Sequence, residues 1–301
     1  MTGTSSNRPG SAGFRLALSG VGAIASQAVV VTAVLYYFGL IYTRTWYAHF
    51  GVDAGMLGYT TPDYVLRSVG GAYWPAVMAL LGVLALFGLR GVPLAVAVRL
   101  RRPRRVLRVW AATVLVTGAL LEGAVAAGIV LRDGLPSVMS LYLPVMLVIG
   151  VALIGYAIAL RTAYPSLLGI RARSASATRA MWFPIMVLLV LGFLGTLWGV
   201  GSYAEHRGAR DAETMEADSF SARPVVLLLS VDRLGIEGGG SRVDEITVPG
   251  EKYRYVYSGL LLFARTPDRY FLVPHQWKAK RDRVFVVGVS DSIRIDLAEH
   301  P

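Results

Sequence analysis

The stretch LALSGVGAIASQAVVVTAVLYYFGLIYT, residues 16–43, contains no charged side chain and is bounded by Arg15 and Arg44. A hydrocarbon core about 30 Å thick is crossed by a helix of about 20 apolar residues, so this run is long enough to span a bilayer. Four comparable runs follow, at 68–89, 109–131, 134–160 and 181–203, and Glu122 is the only charge within them. The composition agrees. Charged residues are 16% of the chain, hydrophobic residues 54%, and the mean hydropathy is +0.53. A soluble domain carries about 25% charged residues, so the deficit indicates lipid as a solvent.

Orientation follows from where the arginines fall. Residues 1–201 hold 16 Arg, no Lys and 4 acids, a net of +12, whereas residues 202–301 have 14 basic and 15 acidic residues, a net of −1. Arg8 and Arg15 precede the first span, Arg161, Arg171, Arg173 and Arg179 follow the fourth, and RGVPLAVAVRLRRPRRVLR (90–108) joins the second to the third. The alternate loops are nearly neutral. All three basic segments then lie on one side, which the positive-inside rule assigns to the cytoplasm. An odd number of spans puts the last hundred residues outside. The expected location is a bacterial plasma membrane with a cytoplasmic N-terminus. Ala23-Ile24-Ala25 resembles a signal-peptide cleavage site, but the apolar run continues through VVVTAVLYYFGLIY, far beyond an h-region of about 7–15 residues; an uncleaved first helix is expected.

Arginines clustered between apolar runs suit lipid headgroups rather than a nucleic-acid face, so nucleic acid is excluded as a partner and Arg101, Arg102, Arg104 and Arg105 become candidate headgroup contacts. The chain has no Cys and only four His, so no disulfide framework, thiolate chemistry or metal site is expected.

The outer loop between spans one and two carries Trp46, Tyr47, Tyr59 and Tyr64, with Tyr73 and Trp74 following, amphipathic rings suited to the headgroup region. Thr61-Pro62-Asp63 reads as a helix start, with a hydroxyl cap, a proline in the first turn and an acid at the positive dipole end. Trp46, Asp53, Thr61, Asp63 and Arg67 are its candidate ligand or gating residues. The segment YAHFGVDAGMLGYTTPDYVLRS (47–68) resembles uncharacterised multi-span membrane proteins of actinobacteria. The resemblance covers spans one and two, and more loosely the ending RDRVFVVGVSDSIRIDL (281–297); it implies no activity and transfers no functional residue.

After the polar stretch 204–222, a linker or helical extension, the period of the sequence changes. RPVVLLLSVD, KYRYVYSGLLLFA, RYFLVP, RVFVVGV and SIRIDL read as five strands, with turns at Thr266-Pro267-Asp268 and Ser290-Asp291. The fold class is therefore an integral membrane α-helical bundle of five transmembrane helices with a C-terminal extracytoplasmic β-rich domain (223–301), either a small sandwich or a partly open barrel. So small a core calls for support from the membrane part or from another subunit.

Chemistry is sparse. No G-x-S-x-G elbow is present, His275, the one His within the strand region, reads as part of a polar loop, and Trp277 beside it reads as an interfacial anchor. Gly238, Gly239 and Gly240 lack the spacing of a phosphate loop. Asp232, Asp244 and Glu245 read as scattered surface acids. No enzymatic activity and no cofactor are expected.

Glu122 is the remaining clue. Gly118, Ala119, Ala126 and Gly123 lie around it, and small residues let helices approach, so its face is expected to meet protein. Gly195 and Gly199 in the fifth span, at GxxxG spacing, also predict close packing, as do Gly155 and Ala159 in the fourth. At about 1.5 Å per residue, Gln27 falls within about a turn of Glu122 in depth and is its candidate partner. An ionised, unpaired acid there costs several kcal/mol, so it is expected to be protonated, hydrogen-bonded or facing water. Two functions fit: an oligomeric pore or transport protein with a regulatory β-domain, preferred because it gives Glu122 a role, or a membrane-anchored scaffold whose β-domain docks an extracytoplasmic protein partner. Membrane lipids and further copies of the chain are the expected partners in either case.

Overall fold

The computed structural model describes residues 10–89, 91–99, 103–131, 139–164 and 175–298. Among them six helices precede six strands: α1 Gly10–His49, α2 Thr61–Leu89, α3 Val92–Arg99, α4 Pro103–Val130, α5 Met139–Ala163 and α6 Ala175–Ala217, then β1 Val225–Ser230, β2 Arg242–Glu245, β3 Tyr255–Arg265, β4 Arg269–Pro274, β5 Phe285–Gly288 and β6 Ile293–Ala298. Five of the helices are long and apolar enough to cross a membrane, all but the short α3. Their surfaces expose Leu80, Leu84, Phe87, Leu120, Phe183 and Leu189, side chains suited to lipid contact.

Several helices outrun the uncharged stretches. The single charge at Arg44 does not stop α1, which continues to His49 and is closed by Gly51 in the left-handed region at φ 73°, where the Gly51 N–H bonds the Ala48 carbonyl at 3.0 Å. Charge likewise fails to mark the start of α4, which begins at Pro103, a residue pre-set for a first helical turn, rather than near 109. The basic connector, expected as a loop, contributes α3. Residues 204–217, expected as a linker or extension, are helix. Beyond them the chain turns through Ser219 and Phe220, both at positive φ (50° and 58°). A bulky residue resists that conformation; burial of the Phe220 ring, 1% exposed, offsets the cost.

The start of α2 is shifted by one residue from expectation. Asp63 Oδ2 accepts the Thr60 N–H at 2.8 Å and its hydroxyl at 2.6 Å, so Thr60, not Thr61, is the residue the acid caps.

Contacts divide the chain into two compact units, Met1–Val69 with Arg207–Pro301, and Gly70–His206. In the second unit α4 and α5 pair antiparallel. Buried Leu107, Ala111 and Val125 lie with Gly118 at intervals of four and seven residues along one stripe, and Leu107 and Ala111 pack with Leu160 of α5. A Cβ on Gly118 would come within 2.8 Å of Ile154 Cγ1 and 3.0 Å of the Gly150 carbonyl oxygen, so the backbones meet there. α6 lies on α5 through Gly192, Gly195 and Gly199, opposite Val151, Leu147 and Pro144.

In the first unit the strands form one antiparallel sheet in the order β5-β4-β3-β1-β6, with β2 also paired to β3. One sheet excludes the sandwich. β2 is an unanticipated sixth strand: its sequence RVDE is too charged to stand out as β. β3 is long enough to hold β2 against Tyr255–Ser258 and β4 against Leu260–Arg265 on the same edge. Between them sits Gly259, at φ 72°, where a Cβ would meet the Gly240 carbonyl. One face of the sheet buries Val226, Leu228, Tyr257, Leu260 and Leu272 with the loop residue Ile236. Among the described residues no helix contributes to this core, and β5 and β6 are the two ends of an open strand order.

Candidate functional site

Two places in the fold hold the residues of interest. The first is Glu122, half-buried on α4, one turn beyond Gly118. Its carboxyl lies on the backbone of α5: a Cβ on Gly150 would stand 2.5 Å from Glu122 Oε1. That oxygen is buried with no hydrogen-bond partner among the described residues. Gln27 is exposed on α1 and belongs to the other unit. The two glycines flanking Glu122 behave differently. Gly118 is packed as expected, but Gly123 is exposed and a Cβ there would meet nothing within 4 Å, so it is not a packing residue among the described residues. Gly195 is tightly packed and Gly199 is in ordinary contact, 3.6 Å from Pro144 Cβ. Gly150, which makes room for the carboxyl, was not expected; Gly155 was, yet it meets nothing within 4 Å. Beside this helix pair, Arg105 joins Val106, Val109, Trp110, Thr113 and Val114 around a shallow groove of about 420 Å³. Arg104 and Arg105 are exposed, as headgroup contacts require, whereas Arg101 and Arg102 lie outside the described residues.

The second place is the junction of helix ends and sheet in the first unit, and here the expectation for the aromatic loop is corrected. Trp46 (7% exposed) and Tyr47 are core residues rather than interfacial anchors, and Phe50 is buried with them. They pack with Val52, Ala54, Leu57, Ala212 and Phe220 against the other face of the sheet, at Leu261, Phe263, Phe271 and Val273. Trp46 stacks on Phe263 with ring centroids 5.3 Å apart and planes 11° from parallel; Phe50 contacts the same ring at 4.8 Å. Trp277, also expected at an interface, is 5% exposed and sits 5.1 Å from the Phe50 ring. Of the aromatic residues first assigned to the headgroup region, Tyr73 and Trp74 remain exposed.

Polar contacts rim this core. His49 Nε2 lies 2.8 Å from Glu216 Oε2, and the other Glu216 oxygen accepts the Ala279 N–H at 2.9 Å, so α1, α6 and the loop after β4 are joined through one carboxylate. Tyr42 donates to Asp211 at 3.0 Å. Asp53 acts locally, accepting the Gly55 N–H at 2.8 Å as the cap of the turn Ala54–Leu57. Close approach supports the same joint: a Cβ on Gly39 would run into the Tyr64 carbonyl, and one on Gly208 would stand 2.8 Å from the Tyr42 carbonyl oxygen.

On one side of the junction Arg67 donates to Tyr59 Oη at 2.7 Å, and Tyr59 and Tyr47 share a hydrogen bond of 2.6 Å. Burial and then that bond push the Tyr59 phenol above its ordinary range, against the pull of Arg67 and Arg223. Arg223, half-buried, lies over the Trp46 and Phe263 rings at 5.9 and 6.0 Å, and burial pulls its guanidinium below the ordinary value. Sequence reasoning missed Arg223; the signal present was an arginine directly before the proline that leads into β1. Among the described residues no group of three His, Asp or Glu side chains is arranged to hold a metal ion. No protein-family model, curated protein or solved structure matches the chain.

Proposed function

We propose that this chain is a non-enzymatic, multi-pass membrane scaffold that presents its C-terminal sheet, as a rigid extracytoplasmic surface, to a protein partner. The observation that carries this reading is the shared core in which Trp46 and Tyr47 of α1 and Phe50 of the turn after it pack against Phe263 of β3. A sheet held by a common core moves with the helix that bears it, whereas a sheet on a flexible linker would be positioned by neither. The cytoplasmic N-terminus rests on the arginine-rich 90–108 connector and the near-neutral alternate loops. A bacterial plasma membrane and kinship with the actinobacterial multi-span proteins rest on the 47–68 segment.

A second reading has one observation in its favour. Glu122 Oε1 is buried without a partner among the described residues, and an oligomeric pore would give that carboxyl a polar neighbour. Ion and proton flux in proteoliposomes, wild type against Glu122→Gln, separates the two. The scaffold gives no leak above empty liposomes across pH and voltage. A leak that Glu122→Gln alters, with assembly unchanged, overturns the scaffold in favour of the pore.

A further inference from the structure

We propose that Arg67 and Arg223, with the paired phenols of Tyr47 and Tyr59, form a binding site for a phosphate-type oxyanion at the junction of the helix ends and the sheet. The balance of donors and acceptors points to it. Five arginines in this unit, Arg207, Arg233, Arg269, Arg281 and Arg294, are ion-paired with a carboxylate. Arg67 and Arg223 form no ion pair among the described residues. Arg223 is half-buried, and its hydrogen bond there is to Met215 Sδ at 3.9 Å, a weak acceptor for a guanidinium with five N–H donors. A partly desolvated cation is costly without a counter-charge, and the Trp46 and Phe263 faces offset that cost only in part.

Arg67 is exposed, with its guanidinium carbon 4.2 Å above the Tyr59 ring and 5.9 Å from that of Tyr47. The nearby acid, Asp63, spends Oδ2 on Thr60. The phenols add a further donor. Tyr47 and Tyr59 share one hydroxyl proton between them, and Arg67 already donates to Tyr59 Oη. The second phenolic proton has no acceptor among the described residues. Two guanidinium groups that feel each other's charge, and one O–H, thus lie at this junction with no ion-paired carboxylate among the described residues, exposed to solvent at Arg67. Guanidinium forks match pairs of oxyanion oxygens. Two forks and a hydroxyl offer more donors than the two oxygens of a carboxylate take up, which favours phosphate. The phosphate can be free or belong to a lipid headgroup.

The full chain in dodecylmaltoside, at constant ionic strength, is titrated with inorganic phosphate and separately with a short-chain phosphatidylglycerol. Tryptophan fluorescence is the readout, since Trp46 lies beneath Arg223. A saturable change is expected. It weakens about tenfold or more in R67Q and in R223Q, the loss of one charge-assisted hydrogen bond, and is unchanged in R242Q, which removes an exposed arginine of β2. Arg223 packs on the core, so R67Q, on an exposed turn, carries the test should R223Q fail to fold. Saturation with inorganic phosphate supports the site with the phosphate group sufficient; saturation with the lipid alone supports it with a headgroup as ligand. No saturable change with either ligand, or equal affinity in wild type and R67Q, overturns the proposal.

Discussion

Replacing Phe263 by Ala tests whether the α1 end and the sheet share a core. The ring is 1% exposed and has four aromatic neighbours: Phe50 at 4.8 Å, Trp46 at 5.3 Å, Tyr47 at 5.5 Å and Phe220 at 6.4 Å. Truncation of a buried Phe costs about 3–5 kcal/mol, and aromatic pairs contribute about 0.5–1.5 kcal/mol each beyond their area, so with four neighbours a loss of about 4 kcal/mol is expected. Three of those neighbours belong to α1 or the turn after it, which makes the energy one of attachment as well as of sheet stability. Urea unfolding in a single detergent, followed by near-UV circular dichroism and tryptophan fluorescence, reads the loss. A double-mutant cycle with Trp46→Leu isolates the helix-to-sheet part and should return a coupling of about 0.5–1.5 kcal/mol. A Phe263→Ala cost below about 1 kcal/mol, or strict additivity with Trp46→Leu, would refute the shared core and with it the rigid presentation of the sheet.

Gly39→Val should lower thermal stability and yield sharply, because a Cβ there collides with the Tyr64 carbonyl, while Gly70→Ala, with nothing within 4 Å, should be tolerated; equal melting temperatures would count against that helix crossing. Gly150→Ala should loosen the α4–α5 pair and Gly123→Ala should not, a contrast readable by the exchange rates of backbone amides in the two helices. The chain has no Cys, so single-cysteine variants label on an empty background: a membrane-impermeant maleimide applied to intact cells should reach Ser221→Cys and not Arg108→Cys, and the reverse would invert the topology. Acid should weaken the sheet domain. The Arg281 guanidinium and then the Lys278 N–H hold Asp282 below the ordinary carboxylate range, and the Thr266 hydroxyl and Arg269 do the same for Asp268. A depressed carboxylate contributes fully above its unfolded value of about 3.9 and less as pH falls through the folded one, so the urea midpoint should drop below about pH 4, less steeply in D268N/D282N; an identical slope in the variant would exclude these two acids as the cause.

The five spans and five of the six strands were legible because lipid and a half-buried sheet each impose a strong composition. β2 was not, since the side chains of Arg242, Asp244 and Glu245 carry charge and only Val243 marks the pleat. Trp46 and Tyr47 read as headgroup anchors because aromatic rings at the end of an apolar run suit that environment and a protein core equally. What separates the two is whether α1 continues past Arg44, and one charge does not decide that. At the α4–α5 pair, Gly118 could be read but Gly150 could not be told from Gly155. Five positions apart on a helix, they differ in the face they present, and a sequence does not fix which face meets a neighbour. Arg223 stayed hidden for a similar reason: its significance lies in the carboxylate missing beside it, which only the folded arrangement exposes.

The discontinuity of the first unit bears on how the protein is made. Trp46, Tyr47 and Phe50 leave the ribosome long before Phe220, Phe263 and Trp277, the residues that cover them. Throughout synthesis of the intervening helices, α1 carries a cluster of aromatic side chains with no partner of its own, and closing the core requires a long-range contact. Nascent chains halted before β4 would therefore carry an uncovered aromatic surface at the end of their first span, a feature for quality-control proteases to act on. The sheet thus completes a core begun by the first span, so this core closes on the arrival of strands rather than of spans.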